Sequence, residues 1–166
     1  MREAPLASPS DVAPEVGSSP PAPGSDPLIA RLAAAGRALG AREAEHRAAL
    51  DEARARCAAL HARVRAALDA FQAEAAAAGA PHLALTVSAP RLDEKHVRAW
   101  EFEVGRGRHA GIVVVKTKRE ITLVGPFQKG KQEGPCRKLP FDAPEDELDA
   151  ALAAFLERLV EEAATP

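Results

Sequence analysis

Fifty-two residues, Leu28 to Gly79, pass without a proline, between Pro27 and Pro81, and 22 of them are alanine. Proline costs about 3 kcal/mol inside a helix and alanine is the best helix former, so this run predicts one long helix over 28–79. Ser25 or Asp26 can cap its free amide groups, and Pro27 suits the first turn. Gly79 and Pro81 are the usual punctuation at a C-terminus. Such a helix must bury its apolar stripe somewhere.

A seven-residue register places Ile29, Leu50, Cys57, Val64 and Phe71 at a positions and Leu32, Leu39 and Leu60 at d positions. The same register puts Gly36 and Glu43 at a, and His46 and Glu74 at d. The seam is therefore good from Leu50 to Phe71 and poor from Gly36 to His46. Gly36 and Gly40 each cost about 1 kcal/mol, which predicts a kink at 36–40 or two helices, the firmer over 41–78. Glu43–Arg47 and Glu52–Arg56 have the spacing of favourable i,i+4 pairs. Leu50, Cys57, Leu60, Val64 and Phe71 are accordingly the expected helical interface of a homodimer; the alternative is that the helix folds back and packs this stripe on the sheet that follows.

Before the helix, residues 1–27 hold seven prolines and five serines. That composition cannot offset its ordering entropy, so a disordered Pro/Ser-rich tail is expected. After it, the period changes. Leu83, Leu85 and Val87 alternate with smaller or polar residues, and Trp100, Phe102 and Val104 alternate with Glu101 and Glu103, predicting strands over 83–88 and 96–104. Ile112–Lys116 and Ile121–Val124 are two more β-branched runs, with Gly105–Arg108 and Lys118-Arg119 at the turns. Lys138–Phe141 is a candidate edge strand. Asp142 and Glu145 have the spacing of a capping box, and Leu148, Leu152, Phe155 and Leu159 form the core stripe of a last helix. The expected fold is α+β: a long N-terminal coiled-coil-type helix, a four-stranded antiparallel β-meander, and a C-terminal amphipathic helix packed on the sheet. Residues 80–166 make the small α+β domain, long enough for a core of its own.

The net charge of −2 hides opposed blocks. Residues 80–140 carry twelve Lys/Arg against six acids, and residues 141–166 carry Arg158 against eight acids. Arg106, Arg108, Lys118, Arg119, Lys129, Lys131, Arg137 and Lys138 are the candidate surface for an anionic partner, protein or nucleic acid. Base-stacking aromatics are scarce there, so duplex backbone contact is favoured over single-strand binding.

Catalytic signals are weak. Gly125-Pro-Phe-Gln-Lys-Gly130-Lys131-Gln132 approaches the phosphate-loop spacing, but Gln132 replaces the required hydroxyl, and Gly134-Pro135 stands where a helix must start. The five histidines and two cysteines show no zinc spacing. No nucleophile motif is present, so no catalytic, cofactor or metal residue is assigned. Two cysteines suit a reducing cytoplasm, no run suits a membrane span, and the Ala/Arg bias suits a GC-rich bacterial genome. The sequence favours a non-enzymatic interaction or adaptor protein that assembles through the helix and presents a basic domain to a partner. The alternatives are a nucleic-acid-binding, nucleoid-associated-like protein and an enzyme without a recognisable motif.

Overall fold

Asp26 opens the first helix: its carboxylate accepts a hydrogen bond from the Leu28 amide at 2.9 Å. The computed structural model describes Gly24, residues 26–131 and residues 134–164; Ser25 and the remainder of the predicted tail lie outside them. Helix α1 spans Pro27–Ala77 as one uninterrupted element, so Gly36 and Gly40 are accommodated inside it. It ends on Gly79, whose φ of +89° favours glycine. The Ala80 amide reaches back to the Ala75 carbonyl and the Gly79 amide to that of Ala76, closing the last turn in a Schellman arrangement.

The chain divides into two compact units, Met1–Gly40 and Ala41–Pro166. In the first, the described residues are the opening turns of α1. Leu28, Ile29, Leu32 and Leu39 are 57–66% exposed there.

The second unit holds the rest of α1, an antiparallel sheet and helix α2, Glu145–Ala164. The sheet has six strands, not the expected four: β1 (Thr86–Val87), β2 (Arg91–Leu92), β3 (Ala99–Arg106), β4 (His109–Lys116), β5 (Glu120–Gln128) and β6 (Cys136–Pro140). The predicted strand over 83–88 shrinks to β1. Ala89 and Pro90 then interrupt the edge, and β2 resumes pairing with the same neighbour, β3. β3, β4 and β5 follow as a meander, and β6 forms the opposite edge.

Strand pairing fixes which side chains share a face. Phe102, Val113, Leu123, Val104, Val115, Ile121 and Leu139 line one side, all buried. Both helices cover that side. Ala53, Cys57, Leu60, Val64 and Leu68 of α1 join Leu148, Leu152, Phe155 and Leu159 of α2 in one continuous core. The expected four-residue spacing of α2 is thus its buried face.

Close approach of α2 depends on Gly111 in β4. A Cβ there would stand 2.5 Å from the Phe155 ring. Two histidines strap α1 to the first edge: the His46 ring lies 2.9 Å from the Val97 carbonyl, and that of His61 lies 3.0 Å from the Ser88 carbonyl. His61 also meets the buried Phe102 ring edge-on, centroids 5.1 Å apart.

Two predicted side-chain partnerships, the Asp142/Glu145 capping box and the Glu52–Arg56 pair, are replaced by longer-range ones. Asp142 does not cap α2, which starts after Pro144; its carboxylate accepts two hydrogen bonds from Arg119. Glu145 is used by Arg56 and Arg63 of α1, and Arg63 also reaches Asp149. Glu52 and Arg56 do not pair with each other, since Glu52 holds Arg119.

Candidate interaction surfaces

Cys57, Leu60 and Val64, the middle of the expected interface, are at most 1% exposed and face the chain's own sheet. Leu50 and Phe71, at the ends of that seam, are half-buried. Phe71 borders a small cavity of about 190 Å³ between the helices, with Leu68, Leu156 and Val160. The seam is therefore covered within one chain. Burial, with a smaller effect of the Glu101 charge, pushes the Cys57 thiol up to about 12.

The eight basic residues do not form one surface. Arg106, Arg108, Lys129 and Lys131 lie at the end of the sheet where the β3–β4 turn meets the segment after β5; the Lys129 amide donates to the Arg108 carbonyl. Lys118 and Arg119 lie at the opposite end, in the β4–β5 turn. Arg137 and Lys138 point to opposite faces of β6.

Several of these charges have structural partners. Arg106 donates to the Ala163 carbonyl at 2.8 Å, the favourable place for a cation at the end of α2. Arg119 stacks over Phe141 at 4.5 Å while holding Glu52 and Asp142. Its hydrogen bond to Asp142 and that carboxylate's charge raise its pKa. Lys129 pairs with Glu103, and Lys118 lies 3.7 Å from Glu120. Among the described residues, Arg108, Lys131, Arg137 and Lys138 make no ion pair. Positive charge outside close ion pairs is thus concentrated along β6 and the sheet end beside it, although the Lys138 charge also acts on Glu120.

The sheet's second face is not covered by either helix. Its centre is apolar: Ile112, Val114 and Val124 are half-buried, and Thr122 is almost fully buried. Around them stand Glu101 with Arg91, Glu103 with Lys129, and Lys116 with Glu120. Glu101 and Glu103 are therefore ion-pair members on separate partners. A hydrogen bond and the charge of Lys116 hold Glu120 below its ordinary range.

At the β6 side this face dips into an open groove of about 590 Å³. Ile112, Val124, Phe127 and Cys136 supply apolar and thiol lining, and Gln128 and Lys131 the polar rim. Ile112, Val124 and Cys136 form a single row across three strands. The near phosphate-loop segment forms this same region, but as strand and turn. β5 continues through Gln128, a turn follows, and the next element is β6, so no helix N-terminus faces the loop. Gln132 lies outside the described residues.

Sequence periodicity missed this groove, although it left a signal. Ile112-Val113-Val114-Val115 is apolar at every position, which predicts cover on both faces of a strand. Among the described residues, only one face has a helix over it.

Among the described residues, no three His, Cys, Asp or Glu side chains converge on a point that could hold a metal ion. Among them too, no helix is long and apolar enough to cross a membrane. Comparison with protein-family models, with curated proteins and with solved structures gave no match.

Proposed function

We propose that this chain is a non-enzymatic interaction protein that pairs with a second copy of itself through the opening turns of α1, leaving the α+β domain to engage a partner. One observation carries the reading: Leu28, Ile29, Leu32 and Leu39 are 57–66% exposed on one short helical stretch. An isolated helix of that length is marginal in water, and burial of a leucine contributes about 2 kcal/mol. Ile29, Leu32 and Leu39 keep a and d positions of the heptad, a self-complementary pattern. Gly36 and Gly40, one turn apart, have nothing within 4 Å of where a Cβ would stand, so a second helix can approach closely. The seam from Cys57 to Val64, already buried, is left out of the pairing.

Sedimentation of the full chain across about 1–100 µM tests this, a range suited to the micromolar affinity expected of a short seam. A dimer is expected, and Leu32→Glu with Leu39→Glu turns it into a monomer whose sheet domain melts as before. A monomer at every concentration, or a dimer indifferent to both substitutions, rejects the reading.

A further inference from the structure

We propose that β6 and the groove beside it form a docking site for an extended, acidic segment of a partner protein, which adds to the sheet as a new strand. This goes beyond pairing through α1 and does not depend on it.

The backbone supplies the first argument. Gly125 donates to the Pro135 carbonyl at 2.7 Å, and Phe141 donates to the Arg119 carbonyl at 3.1 Å. With the register of β5 and β6, these bonds place Arg137 and Leu139 in the positions that bond to β5. Cys136 and Lys138, which alternate with them, turn their N–H and C=O groups outward. An outer strand with unpaired groups is a template for strand addition. The other edge is no such template, because Ala89 and Pro90 break it into two-residue pieces.

Side chains supply the second. A strand laid along β6 extends the row Ile112–Val124–Cys136 by one position. An apolar side chain there enters the groove and covers an apolar surface that the described residues leave open. Alternate side chains then set specificity.

Charge selects the occupant. Lys131, Arg137 and Lys138 are exposed and make no ion pair among the described residues. Two copies of β6 pairing with each other would set these cations face to face, which is unfavourable across strands. In a foreign strand whose apolar side chains enter the groove, the alternating glutamates or aspartates fall on the opposite face and meet Arg137, while Lys131 and Lys138 add a general attraction for an acidic chain. Lysine and proline on an outer strand also discourage indiscriminate pairing, so a bare apolar strand is rejected while an acidic one is accepted.

The probe is a blocked eight-residue peptide alternating glutamate and valine, titrated into the ¹⁵N-labelled full chain at low salt. Binding is expected to slow hydrogen exchange at the Cys136 and Lys138 amides and to leave Arg137 and Leu139 unchanged, since those already bond to β5. The same peptide N-methylated at alternate residues is expected to bind about tenfold more weakly, the loss of roughly two backbone hydrogen bonds. Arg137→Glu, at an exposed position facing the peptide's glutamates, weakens the unmodified peptide to a similar degree without touching the buried core. No binding at about 1 mM overturns the proposal, that being the weakest affinity a specific site shows. Equal binding of the N-methylated peptide, or of its lysine counterpart, overturns it as well.

Discussion

Gly111 and Phe155 show how tightly single residues constrain this fold. The Phe155 ring occupies the space that any side chain at 111 would need, with ring atoms 2.5 and 2.9 Å from a Cβ placed there. Overpacking of this kind costs about 1–3 kcal/mol, because the core cannot yield without moving α2. Gly111→Ala is expected to lower stability by that amount in urea denaturation, and Phe155→Leu combined with it to recover part of the loss. Strict additivity of the two substitutions contradicts the contact. In the sequence, glycine at 111 is merely the residue before the β-branched run that starts at Ile112; only the position of Phe155, 44 residues later, gives it a purpose.

Elements show what periodicity resolves and what it leaves open. The stripe from Leu50 to Phe71 was legible because its spacing is helical. Its partner was not, because a 3.5-residue and a 3.6-residue repeat diverge by only about 20° per heptad. Over two heptads, a seam for another helix and a face for a sheet look alike. β6 is nearly invisible for a different reason: on an outer strand, Leu139 is the one residue turned into the core, so alternation has nothing to repeat. The cap of α2 was misread because Asp142 and Glu145 are recruited by arginines distant in sequence.

Those arginines link α1 to α2 and give the junction a defined pH response. Hydrogen bonding to Arg56, then the charges of Arg56 and Arg63, hold the Glu145 carboxyl below its ordinary value of 4.5. A carboxyl whose folded-state pKa is depressed stabilises the fold above its unfolded pKa and loses that contribution as pH falls through the folded value. The position is solvent-exposed, so the effect is small. Glu145→Gln is expected to lower stability slightly at pH 7, with the difference shrinking and vanishing as the pH falls through the depressed folded value. A difference that persists at the acid end contradicts the ion pair.

For the molecule as a whole, a long helix and a helix-covered sheet were both readable from residue order, and the strength of the seam pointed toward association. The structure divides the stripe between cover and exposure. The stronger part of the stripe, Ala53 to Leu68, completes the chain's own core, and the weaker part, Leu28 to Leu39, is left exposed. The basic residues are likewise divided, some holding the fold together and others left along β6. The two surfaces proposed for partners thus lie where the sequence pattern is least regular.

The covered seam is the claim on which this account rests, and the two cysteines report on it without any substitution. Cys57 is fully buried with its thiol pushed up to about 12, and Cys136 is exposed. Titration of the native full chain with a thiol reagent at pH 8 is predicted to modify one cysteine rapidly, identified as Cys136 by mass spectrometry. The second reacts only in denaturant. Rapid modification of Cys57 in the folded protein, or a Cys57–Cys57 disulfide under mild oxidation, would contradict it.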